Sequence, residues 1–118
     1  MILVMGIPGA GKTTYSAQFD EVIHADDYGS KRKDELYAAV KKAGEDVCVE
    51  GLFLKRDDRI ALLKACRKKE HKKCVFLDTP VDICVKRDGQ HTFLAPLLSR
   101  KLEPPTEDEG WDEIEVLK

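Results

Sequence analysis

Apolar positions in this chain come in two rhythms, short unbroken runs and stripes spaced three or four residues apart. Met1-Ile2-Leu3-Val4-Met5 is a continuous apolar run, too short for a helix and suited to a strand buried on both faces. Thr13 to Phe19 places Tyr15 and Phe19 four apart, on one face of a helix. Val22-Ile23-His24 reads as a short second strand. Ser30 stands as a cap before a helix striped by Leu36, Val40 and Ala43 and closed by Gly44. Residues 46–51 read as a third strand, 55–69 as a helix with Ile60, Leu63 and Cys66 inward, and 74–78 as a fourth strand. Thr79-Pro80-Val81-Asp82 has the form of a helix start, with Thr79 as N-cap. That helix turns Val81, Cys84 and Val85 inward and Lys86 and Arg87 outward, and Gly89 breaks it. A short helix over 96–102 carries Arg100 and Lys101. Glu103-Pro104-Pro105-Thr106 is an extended connection, and 114–117 is a fifth strand.

Strands alternating with helices predict an α/β fold, a five-stranded parallel sheet covered on both faces to make a three-layer sandwich. Ligands in such sheets bind at the carboxyl ends of the strands. The turn after the first strand, Asp26-Asp27, Glu50 and Asp78 all fall at that edge.

The turn carries the chemistry. Gly6 to Thr13 fits G-x-x-x-x-G-K-[ST], the Walker A loop, which places this chain among the P-loop nucleotide-binding folds. Gly6, Gly9 and Gly11 permit positive φ, so the backbone N–H groups from Gly9 through Ala10 to Thr14 can turn inward around phosphate oxygens. Lys12 brings a full charge to the β- and γ-phosphates, and the Thr13 hydroxyl is a hard ligand suited to Mg²⁺. The expected ligands are therefore a nucleoside triphosphate, ATP, and Mg²⁺.

With 118 residues the chain is expected to be a single domain, 1–118. Its net charge of −2 argues against a general grip on long nucleic acid, although a short end remains open. No apolar run approaches membrane-spanning length, and the first strand leads straight into the loop with no room for a signal peptide. A cytoplasmic protein without a membrane partner is expected. Cys48, Cys66, Cys74 and Cys84 have no C-x-x-C spacing and sit in apolar runs or faces, as buried reduced thiols do. The scattered His24, His71 and His91 give no zinc pattern.

The ordered set of motifs resembles the small P-loop kinases related to polynucleotide 5′-hydroxyl kinases. The match runs through the phosphate loop, Asp26-Asp27-Tyr28, Thr79-Pro80 with Lys86-Arg87, and the segment from Glu103-Pro104-Pro105 through Gly110-Trp111 to Ile114. The resemblance implies that Asp26 is the general base for the acceptor hydroxyl; Asp27 beside it, just before residue 30, reads as a helix cap. The resemblance also implies that Arg87 is a lid arginine neutralising the transferring phosphoryl, within a short lid around 86–101. Glu50 sits where such kinases often carry an acid near metal-bound water or the acceptor. The chain departs from the pattern twice, with His91 at the second lid-arginine position and Gly29 where a basic residue follows Asp-Asp-Tyr. Lys31, Arg32 or Arg100 are the candidates to replace those functions.

The acceptor is the open question. From Lys55 to Lys73 the chain holds nine Lys or Arg against three acids. The late cations, Arg67 to Lys73, read as a solvated helix end, whereas Lys55, Arg56 and Arg59 read as pointing to the ligand edge. A sparse acceptor side with that cluster suits the 5′ end of a nucleic acid. The alternatives are a small-molecule kinase for a nucleoside, sugar or antibiotic, and a nucleotide-binding regulatory module with little transfer activity. The last seventeen residues, with seven acids and one Lys, read as a solvated edge.

Overall fold

In a computed structural model the protein is described over residues 1–88 and 94–118. His91 and Gly89 lie outside the described residues. Five parallel strands, β1 (Ile2–Met5), β2 (Val22–His24), β3 (Cys48–Gly51), β4 (Lys73–Leu77) and β5 (Glu113–Leu117), form one sheet in the order β2-β3-β1-β4-β5. The helices are α1 (Lys12–Ser16), α2 (Lys33–Ala43), α3 (Arg56–Ala65), α4 (Val81–Asp88) and α5 (Leu94–Ser99).

The apolar runs form the middle of the sheet because both of its faces are covered. Leu3 and Met5 of β1 and Cys74 and Phe76 of β4 pack with Leu36, Val40, Leu62 and Leu63 of α2 and α3. The intervening Val4, Val75 and Leu77 join Ala10, Cys84 and Ala95 on the other face. The three-layer α/β sandwich of the P-loop type is thus present.

Several local expectations differ from the structure. Helix α1 stops at Ser16, whose hydroxyl donates to the Thr13 carbonyl at 3.1 Å and competes with continuation of the helix. Ser30 caps nothing by its side chain; it opens a 3-10 turn, Ser30–Arg32, that leads into α2. Helix α3 ends four residues earlier than its pattern suggests. Cys66 is extended there, and the buried Glu70 carboxylate accepts from the Arg67 N–H at 3.3 Å. The inward face of α3 carries Leu62 rather than Ile60, together with Arg59 at 0% exposure. Arg100 and Lys101 follow α5 in a turn instead of lying on a helix.

The acidic C-terminal stretch is more than a solvated edge. Thr106 and Glu109 form a reciprocal capping box around a 3-10 turn, Glu107–Glu109, and Glu109 is buried. Its carboxylate accepts from Arg59 Nε at 2.8 Å and Nη2 at 2.9 Å, and from Trp111 Nε1 at 3.0 Å. Burial works to raise the Glu109 pKa, but these donors outweigh it and hold the carboxyl below its ordinary range. Arg56 makes a two-pronged pair with Asp108, at 3.0 and 2.9 Å, that holds the Asp108 carboxyl down at about 2. Lys55 Nζ lies 3.8 Å from Glu103. The cluster expected to face a polymer end is therefore engaged by the 103–109 segment.

Candidate active site

The strand order explains why distant segments meet. With β1 central and β3 and β2 beside it, the carboxyl ends of these three strands deliver the phosphate loop, Glu50 and Asp26 to one side of the sheet edge. Asp78, after β4, stands across β1 from them, and its N–H donates to the Leu117 carbonyl at 2.7 Å.

A cavity of about 440 Å³ is lined by Gly9, Gly11, Lys12, Thr13, Thr14, Asp26, Glu50 and Arg87. Most of the residues singled out from sequence thus share one hollow. Gly6 and Ala10 belong to the loop without lining it. Gly6 has no positive φ; it is needed for close approach, since a Cβ there would stand 3.0 Å from the Leu77 carbonyl oxygen and from Ala10 Cβ. Gly9, at φ +84°, is more constrained, because a Cβ would meet the Cys84 carbonyl oxygen at 2.3 Å. Helix α4 is therefore seated directly on the loop.

Lys12 is buried, with Nζ 3.0 Å from both the Gly6 and the Ile7 carbonyl oxygens. The Ala10 carbonyl accepts from Thr79 Oγ1 at 2.9 Å and from Arg87 Nη1 at 3.3 Å. Both contacts occupy the Ala10 carbonyl, and the Ala10 N–H, expected to face phosphate, donates instead to the Ile7 carbonyl at 3.1 Å in the turn of the loop. Thr79 is thus a loop support and not the N-cap its position suggested, and its Thr-Pro context hid that role. Glu50 is buried and its Oε2 lies 2.7 Å from His24 Nδ1, a contact that periodicity could not foretell.

Asp26 and Asp27 form, with Ala25, a 3-10 turn directly after β2, and both are exposed. Asp26 also stands in the wall of a second cavity, of about 300 Å³, bounded by the start of α2 and the segment after β3. Its wall includes Leu36, Tyr37, Leu52, Phe53, Lys33 and Asp58. A larger hollow of about 680 Å³ lies at the opposite end of the strands, among Met1, Glu45 and His71, far from the loop in the fold. Of the cations considered as substitutes, Arg32 lies over the Tyr28 ring at 5.3 Å and pairs with Glu35. Lys31 and Arg100 are exposed, and neither lines the two cavities. All four cysteines are buried and free, and burial pushes Cys48 and Cys74 up to about 12.

No family model matches the sequence, and no curated protein matches it. A solved structure does: a gluconokinase from Sinorhizobium meliloti 1021 superposes with a TM-score of 0.65 at 17% identity, over 98% of this chain and 79% of that one. The chain shares that protein's fold. At that identity the likeness concerns architecture, and the chemistry must come from this chain's own residues. None of the described helices is long and apolar enough to cross a membrane.

Proposed function

We propose that this protein is an ATP-dependent phosphotransferase that moves the γ-phosphoryl group to a hydroxyl of a small molecule, with 1–118 acting as one kinase domain under a short lid. The observation that carries this reading is the place of Asp26, in the wall of both the phosphate-loop cavity and the apolar cavity beside it. A base between donor and acceptor sites is what phosphoryl transfer to an alcohol requires.

The loop amides of Gly9 and of Gly11 to Thr14, together with Lys12, bind the β- and γ-phosphates, the Ala10 N–H being held by the Ile7 carbonyl at 3.1 Å and Lys12 exchanging its carbonyl contacts for phosphate oxygens. The Thr13 hydroxyl is a hard oxygen donor that would fit Mg²⁺, with the Glu50 carboxylate in the same cavity. Bound there, the ion would supply charge neutralisation for the phosphates. Asp26 orients the acceptor hydroxyl and takes its proton as the new O–P bond forms and ADP leaves. Arg87, on the cavity wall, offsets charge on the transferring group.

A small acceptor is preferred over a nucleic-acid 5′ end because Arg56 and Arg59 are held by Asp108 and Glu109. A fold shared with a gluconokinase supports the same choice. The test is transfer from γ-labelled ATP to a panel of small alcohols and a 5′-hydroxyl oligonucleotide, with Lys12→Ala as control. Small alcohols should take label and Lys12→Ala should abolish it. Full transfer by a folded Lys12→Ala protein, or label on the oligonucleotide alone, would refute the proposal.

A further inference from the structure

Resting on the kinase reading, we infer that the acceptor is an uncharged alcohol bearing a flat ring, of the nucleoside type, and that it binds in the cavity beside Asp26 against Phe53. Two independent features lead there. The first is charge. Lys33 is the one cation in that wall among the described residues, and its Nζ lies 3.5 Å from Asp58 Oδ1. Two carboxylates, Asp26 and Asp58, thus stand against one cation among solvent-exposed charges of that wall, so an anionic acceptor meets net negative charge there. A sugar acid or a phosphate-bearing chain end is disfavoured on that ground.

The second feature is the construction of the wall. Leu36, Tyr37, Leu52 and Phe53 give it an apolar, partly aromatic face, which suits a ring better than a polyol that needs a donor or acceptor for every hydroxyl. Phe53 is held there at a cost. It is the one non-glycine residue with positive φ among those described, at 42°. Its carbonyl accepts from the buried Arg59 Nη1 at 2.7 Å, and Arg59 is fixed in turn by Glu109. Gly51 leaves room for the ring, since a Cβ there would lie 3.0 Å from Phe53 Cε2. Strain of this kind persists where surrounding contacts overdetermine it, and it collects at ligand sites. Arg59, read from sequence as an acceptor-binding cation, is here a positioning residue for the cavity wall.

In the reaction the ring lies along Phe53 while the hydroxymethyl oxygen reaches Asp26. That oxygen forms a bond to the γ-phosphorus, the bond from the γ-phosphorus to the β,γ-bridging oxygen breaks, ADP departs with the electron pair, and the proton passes to the Asp26 carboxylate.

The experiment compares kcat/KM for uridine and adenosine with that for gluconate and uridine 3′-monophosphate, in the wild type and in Phe53→Gly. Glycine tolerates the positive φ while removing the ring. At least one nucleoside should exceed both anions by about tenfold or more, and Phe53→Gly should raise its KM by about tenfold. ATP affinity without acceptor should stay put, separating loss of the wall from loss of the fold. Gluconate or the 3′-phosphate serving as well as the nucleosides, or an unmoved nucleoside KM in Phe53→Gly, overturns this inference and leaves the kinase reading standing. Label reaching none of the four acceptors likewise overturns this inference, and the kinase reading then stands or falls on the wider panel of alcohols.

Discussion

At the scale of single residues, the Ala10 carbonyl shows how the phosphate loop is held ready. Thr79 and Arg87 both donate to it, so the loop is braced from outside the motif that names it. Thr79→Val keeps the shape and removes one hydrogen bond, worth about 0.5–1.5 kcal/mol. ATP should then bind roughly threefold to tenfold more weakly, since 1.4 kcal/mol is tenfold. Calorimetric titration decides it, and unchanged affinity would mean that Arg87 alone suffices. Asp26 calls for a different measurement. Asp26→Asn keeps size and hydrogen bonding but takes no proton, so kcat should fall by roughly 10²-fold with ATP affinity nearly constant. If Asp27→Asn is the damaging change instead, the base is assigned one residue too early.

At the scale of elements, α4 and the loop behave as one piece because Gly9 lies against the backbone of Cys84. Gly9→Ala cannot be absorbed by a side-chain rotation, since the clash is with a carbonyl and φ is +84°. The variant should lose ATP binding while the sheet persists, which far-UV circular dichroism alongside nucleotide titration would reveal. Wild-type ATP affinity in Gly9→Ala would show that α4 moves freely. The same elements show what could be read beforehand. Strands β1 and β4 were legible because a strand covered on both faces is a continuous apolar run, and the loop because phosphate binding demands its glycines. Arg59, Glu70 and Glu109 were not, because a buried charge looks like a solvated one until its partner is known. The partner of Arg59 lies 50 residues away, and no periodicity carries that distance. The ring-lined cavity was hidden for the same reason, being assembled from three segments. Asp26 and Glu50 were legible as members of an edge cluster and Arg87 only through the family resemblance, whereas Asp78 of that cluster does not line the cavity and the second task of Thr79 was not legible.

At the scale of the whole molecule, the Arg59–Glu109 pair joins α3, the C-terminal turn and the segment under Phe53, so its loss should be felt globally. Both side chains are at 0% exposure, and breaking such a pair by removing one charge costs about 3–5 kcal/mol. That is a large share of the roughly 5–15 kcal/mol holding a domain together. Glu109→Gln should therefore lower the urea midpoint at pH 7 by about 2 M, given slopes of about 1–3 kcal/mol per molar. The single tryptophan, Trp111, donates to Glu109 and supplies the fluorescence signal. Acid gives the sign. The Glu109 carboxyl is held below its ordinary value, so the unfolded chain takes up the proton first as pH falls. Its contribution is complete above the unfolded value of about 4.3 and drains away as pH drops through the lower folded value. Glu109→Gln has no such proton to bind, so the gap between wild type and variant should be constant from pH 7 to about 5 and close below about 4.3. Asp108, also held down, titrates in both proteins and cancels from the difference while Arg56 stays paired with it. A gap that stays the same from pH 7 down to about 3 would show that the charge on Glu109 contributes nothing beyond its hydrogen bonds.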